Sequence, residues 1–79
     1  MLTVTRLRDF LEEDLGVETD DITPDTLLFS DGIIDSFALV SLMTFLETEG
    51  GIRINPADVS LDNMDSIARM LAYVERVRP

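Results

Sequence analysis

Ser36 stands between Asp35 and Phe37 in the stretch DGIIDSFALVSLMTFLETEGG, at the point where an apolar helix begins. A hydroxyl beside a carboxylate at a helix start has a plain structural explanation, an Asp35 N-cap followed by a small first helical residue. Its chemical explanation cannot be nucleophilic catalysis of the usual kind. The chain contains no histidine, so a Ser-His-Asp triad has no base, and it contains no cysteine, so thiolate chemistry and disulfides are excluded. No G-x-x-x-x-G-K-S/T phosphate loop occurs. The acid-rich stretches around Asp20 and Asp62 lack the spacing and central glycine of an EF-hand loop. Catalysis by this chain alone is therefore not expected.

The elements that must position Ser36 belong to a small chain. Its 79 residues predict one domain, spanning 1–79, near the size at which folding buries only about 60% of the unfolded surface. The net charge is −10, from 16 acidic and 6 basic residues, and every basic residue is an arginine. Nucleic acid and anionic membrane surfaces are disfavoured as partners, because they carry the same sign of charge. No apolar run approaches the roughly 20 residues that span a bilayer, and the N-terminus has no signal-peptide pattern. The expectation is a soluble, cytoplasmic monomer.

Three helices follow from periodicity. In the first, TVTRLRDFLEEDLG, Val4, Leu7, Phe10, Leu11 and Leu15 fall at helical spacing, Thr3 or Thr5 serves as N-cap, and Gly16 stops the helix. Arg8 and Glu12 are placed to pair one turn apart. Residues 17–35 show no period. Leu27, Leu28, Phe29, Ile33 and Ile34 predict an ordered loop packed on the core, with room for a helical turn. The second helix runs from Ser36 to Glu49, with Leu39, Leu42, Met43 and Leu46 as its buried stripe and Gly50-Gly51 as its end. Asn55 and Pro56 open a short helix, with Asp58 three residues after the cap. The last helix starts at Asp62 or Asn63, with Met64, Ile67, Ala68, Leu71 and Val74 on one face. Its acids Asp62 and Asp65 stand at the start and Arg76 and Arg78 at the end, as the helix dipole prefers. The fold class is all-α: a small four-helix bundle of three long helices and one short, with a long ordered loop between the first two.

In this context Asp35-Ser36-Phe37 is no longer an isolated motif. The first helix, the loop ending in LFSDGIIDSF, the double-glycine exit, the IRINPADV connection and the final NMDSIARMLAYV together resemble the acyl carrier and peptidyl carrier protein family, over nearly the whole chain. The resemblance implies that Ser36 carries a covalent 4′-phosphopantetheine, whose terminal thiol holds acyl groups as thioesters. It also implies that Asp35 is recognised by the phosphopantetheinyl transferase that loads Ser36. A phosphodiester at a helix N-terminus suits the free N–H groups and the positive end of the dipole. A working thiol borrowed from a prosthetic group fits a chain without cysteine.

DSF in place of DSL is similar to D-alanyl carriers and stand-alone peptidyl carriers. These imply as partners an adenylating acyl or aminoacyl ligase and a downstream acyl-processing enzyme. Carriers of fatty acid synthesis display carboxylates along the second helix, whereas Ala38, Ser41, Thr44 and Thr48 stand there, with Glu47 and Glu49 only near the end. A discrete aminoacyl or short acyl carrier is therefore the favoured reading, with a neutral partner surface of Phe37, Ala38, Ser41 and Thr44. Phe37 and Phe45 each serve equally well as surface anchors or as core. The competing readings are a carrier of fatty acid synthesis and a helical adaptor that binds its partner through the second helix.

Overall fold

A computed structural model describes residues 2–78. Helix α1 spans Val4–Glu13, capped by Thr3, whose hydroxyl accepts the Arg6 N–H at 3.2 Å. Leu7, Phe10 and Leu11 are its buried face, and Gly16 turns the chain at a φ of 68°. Arg8 and Glu12 form no ion pair with each other. The Arg8 guanidinium donates to the Thr19 carbonyl at 2.8 Å, and Glu12 accepts the Thr19 hydroxyl at 2.9 Å. Both charges hold the buried start of the loop instead, because its unpaired polar groups need partners more than exposed charges do.

Residues 17–35 are an ordered loop of turns with no helical segment. Ile22, Leu28 and Ile34 are buried, Leu27 and Phe29 half-buried, and Ile33 exposed. Ile33 and Ile34 both donate their N–H to the Leu28 carbonyl, and on this non-helical backbone only Ile34 turns inward. The expectation that Ile33 joins the core is thereby corrected.

Helix α2 spans Ser36–Gly50 and ends on Gly51, at a φ of 65°, whose N–H returns to the Glu47 carbonyl. Leu42, Phe45 and Leu46 are buried, with Leu39 and Met43 half-buried at the margins. Phe45 stacks on Phe10 at 4.2 Å between ring centres, and Arg6 pairs with Glu49, so α1 and α2 run antiparallel. At the far end a Cβ on Gly50 would lie 2.9 Å from the Val74 side chain, which brings the C-terminal part of the last helix against the C-terminal end of α2.

A 3-10 turn at Pro56–Asp58, capped by Asn55, leads to α3, Leu61–Met64, and α4, Ile67–Val77. The single last helix expected from Asp62 or Asn63 is therefore two helices. Ser66, with extended backbone angles, accepts the Arg69 N–H at 3.1 Å and restarts the helix, a local cap that interrupts the apolar period. The buried face is Met64, Ile67, Met70, Tyr73 and Val74, while Ala68 and Leu71 are half-buried. Asp58 makes no capping box and instead accepts the hydroxyl of buried Tyr73 at 2.9 Å. Three long helices, one short helix and no strand make up the described residues, and no helix among them is long and apolar enough to cross a membrane.

Candidate functional site

Asp35 and Ser36 sit where the loop enters α2. The Asp35 carboxylate accepts the Ala38 N–H at 3.1 Å, so Asp35 is the cap and Ser36 the first helical residue. Capping does not need the Ser36 hydroxyl, and the side chain is exposed. The dipeptide Asp-Ser occurs again at Asp65-Ser66 with its roles shifted by one position. There Ser66 is itself the cap and is 2% exposed. Of the two serines, only Ser36 offers a free hydroxyl at a helix start.

The first turn of α2 satisfies one N–H through Asp35 and leaves those of Ser36 and Phe37 without an intrahelical acceptor. A phosphate ester on the Ser36 oxygen would be favoured by those two N–H groups and by the positive end of a 15-residue helix. The residues present therefore fit a phosphopantetheine group.

Beside Ser36 lies an apolar surface. On α2, Phe37 is 86% exposed and Val40, one turn on from Ser36, 66%, a large exposure for side chains that gain from burial, while Leu61, 53% exposed, lines the cleft shared with Leu39. Ser41 and Thr44 are exposed with them, whereas Ala38 is half-buried, which corrects its expected place on the open side. Phe45 is settled as core and Phe37 as surface. The two carboxylates of α2 are engaged within the fold: Glu47 accepts the Ile54 N–H at 2.8 Å and Glu49 pairs with Arg6. The exposed middle of α2 is neutral as a result.

The charge lies elsewhere. Residues 9–35 hold ten acidic residues, from Asp9 to Asp35, and no arginine, so this segment carries the entire −10 while the remaining acids and arginines balance. Between α2 and α3, one turn from Ser36, Phe29, Leu39, Val59, Ser60, Leu61 and Met64 line a cleft of about 230 Å³.

Sequence reasoning missed Asp65. Expected as an acid that suits the dipole at the start of the last helix, it is 2% exposed and accepts the N–H of Phe29 at 2.8 Å, the N–H of Ser30 at 3.0 Å and the Ser30 hydroxyl. Burial opposes its charge, but the Ser30 hydroxyl, the two N–H groups and Arg69 prevail and hold its carboxyl below the usual range. Repetition of the Asp-Ser dipeptide before an apolar run was the one signal that the last helix restarts at that point.

Comparison with known proteins agrees with this geometry. Residues 5–74 match the family described as phosphopantetheine attachment site. The chain is 30% identical over 73 residues to an acyl carrier protein of Akkermansia muciniphila, covering 92% of this chain and 89% of that protein. It is 28% identical over 72 residues to an acyl carrier protein of Thermotoga maritima, covering 91% and 86%. Over 62 residues it is 42% identical to the lincomycin biosynthesis protein LmbN of Streptomyces lincolnensis, covering 78% of this chain and 22% of that protein. Among solved structures, a chain in one described as the crystal structure of FAD-dependent dehydrogenase superposes with a TM-score of 0.76 at 25% identity, covering 86% of this chain and 97% of that one.

Proposed function

The chain belongs to the acyl and peptidyl carrier family, non-catalytic proteins bearing a covalent 4′-phosphopantetheine, and from that premise we propose that Ser36 is its attachment residue and that its cargo is an aminoacyl or short acyl group. The observation that carries this is the division of labour at the start of α2, where Asp35 caps the helix and Ser36 presents an unneeded, exposed hydroxyl. The prosthetic group supplies a thiol on a flexible arm, on which the acyl group is held as a thioester. The protein's part is to hold the ester oxygen at the head of α2, to balance the phosphate charge with the N–H groups there, and to offer Phe37, Val40 and Ser41 to enzymes that must reach it.

A short cargo is supported by the cleft between α2 and α3, whose 230 Å³ falls below the roughly 300–1,000 Å³ of pockets that enclose a drug-sized ligand. A biosynthetic carrier loaded by an adenylating ligase is supported by the neutral face of α2 and by the likeness to LmbN. The dehydrogenase structure that contains a chain of this fold points to an oxidoreductase as one class of downstream partner. Exposure of Asp35 at the head of α2 supports its recognition by the transferase. The test is intact mass after incubation with coenzyme A, magnesium and a promiscuous phosphopantetheinyl transferase, followed by peptide mapping. One phosphopantetheinyl group on Ser36 is expected; no gain in mass, or a gain on another serine, overturns the assignment.

A further inference from the structure

We propose that Asp65 is a positioning residue for Ser36: by tying residues 28–30 to the junction of α3 and α4, it sets how the head of α2 is presented to a partner enzyme. This rests on the assignment of Ser36 as the attachment residue. A buried carboxylate is costly unless its oxygens are filled. Those of Asp65 are filled by the loop, through the Phe29 N–H, the Ser30 N–H and the Ser30 hydroxyl, with Arg69 as a distant ion partner at 3.9 Å. Neither flanking helix needs the carboxylate as a cap, because Asp65 closes α3 through its backbone N–H to the Leu61 carbonyl and Ser66 caps α4.

The connection to Ser36 is a short relay. The Asp65 carbonyl accepts the Leu28 N–H at 2.6 Å, and the Leu28 carbonyl accepts the N–H groups of Ile33 at 2.9 Å and Ile34 at 3.0 Å. Ile34 is buried and immediately precedes Asp35, the cap of α2. Upstream, the loop is anchored at Thr19 by Arg8 and Glu12 and at Pro24, whose carbonyl accepts the Ala68 N–H at 2.9 Å. The Asp65 clasp is thus the last side-chain anchor before the site. Through Phe29 it also sets one wall of the cleft beside Leu39. A misplacement of about 1 Å in a reacting group is enough to slow an enzymatic step about a hundredfold.

The test compares transferase kinetics on Asp65→Ala, Asp65→Asn, Ser30→Ala and Leu7→Val. Leu7 is a core residue in the first half of α1, next to the Arg6 that reaches Glu49 at the opposite end of α2 from Ser36, so its truncation controls for general destabilisation. At a temperature where all four are folded, Asp65→Ala is expected to raise KM for the carrier about tenfold. Asp65→Asn, which keeps one acceptor oxygen, recovers to within about threefold, and Leu7→Val stays within about twofold. Hydrogen exchange at the Phe29 and Ser30 amides accelerates in the clasp variants alone. A folded Asp65→Ala protein modified at the wild-type rate, or a Leu7→Val protein slowed as much, overturns the proposal. If Asp65→Ala does not fold, Ser30→Ala decides in the same way: a KM raised above that of Leu7→Val supports the clasp, and equality defeats it. Wild-type protein that gains no mass on Ser36 defeats the attachment assignment and this proposal together, whereas normal modification with indifferent clasp variants defeats this proposal alone.

Discussion

The Asp65 carboxylate receives both the backbone N–H and the hydroxyl of Ser30, 35 residues earlier in the chain. Its folded-state pKa is depressed below the ordinary value of 3.8, so it contributes stability that is present above that value and lost as pH falls through the folded pKa. Thermal unfolding of wild type and Asp65→Asn should differ most near neutral pH, and the gap should close below about pH 4. A gap that stays constant from neutral to strongly acid pH would mean that the charge on Asp65 adds nothing to the clasp.

Ser36→Ala should abolish phosphopantetheinylation and leave the fold intact. Ser36 is exposed and Asp35 keeps the cap, so the change falls within about 0.5 kcal/mol, or about 4 °C in melting temperature for a chain of this size. Loss of cooperative unfolding in this variant would return Ser36 to a structural role.

Phe37 is solvated and makes no core contact worth protecting, so Phe37→Ala should leave the melting temperature nearly unchanged. Loading by the ligase should weaken about tenfold, the effect of losing an apolar anchor of about 1.4 kcal/mol. With Glu47 bonded to the Ile54 N–H and Glu49 paired with Arg6, ligase affinity should vary weakly between low and high salt. A steep salt dependence would move recognition to the acids of the loop, Asp31 and Asp35.

Because residues 9–35 carry ten acids without a single base, their mutual repulsion is relieved by any screening ion. Sodium chloride should raise the melting temperature. Among the described residues no group of acids is arranged to hold a metal, so magnesium at matched ionic strength should raise it by the same amount. A magnesium effect well above the sodium effect, by differential scanning fluorimetry, would reveal a specific cation site.

Tyr73, 1% exposed, donates its hydroxyl to Asp58 and so ties α4 to the 3-10 turn. Tyr73→Phe should cost about 1.5–3 kcal/mol, as expected for a hydrogen bond to a charged acceptor. Burial first, then the Asp58 carboxylate, raises the pKa of this phenol above its ordinary 10.0. Wild type should therefore lose stability above pH 10 while Tyr73→Phe loses less, a difference that chemical denaturation across alkaline pH will register.

Much of the fold was legible because its signals are short in range. Thr3, Asp35 and Asn55 each accept an N–H two or three residues on, and Gly16 and Gly51 take the left-handed turn that other residues avoid. The break at Asp65-Ser66 was missed because the apolar period runs through it from Met64 to Ile67, and periodicity outweighed a cap of the same kind as the one at Asp35. Arg8 and Glu12 were misassigned for a related reason: their spacing permits a pair, but a buried Thr19 eleven and seven residues away offered each a better partner.

By itself, then, the sequence determined the two ends of α2 and the turn at Gly16 that follows α1, that no histidine or cysteine takes part, and that Ser36 follows a cap at the head of an apolar helix. These depend on residue type and on hydrogen bonds spanning a few positions. Tertiary structure alone decided that Phe45 is core while Phe37 is surface, that Glu47 and Glu49 are engaged within the fold, and that Asp65 is buried beneath the loop it holds. Each of these depends on which groups packing brings within about 3 Å from distant parts of the chain, and on how far water is excluded once they meet, quantities that no local pattern encodes.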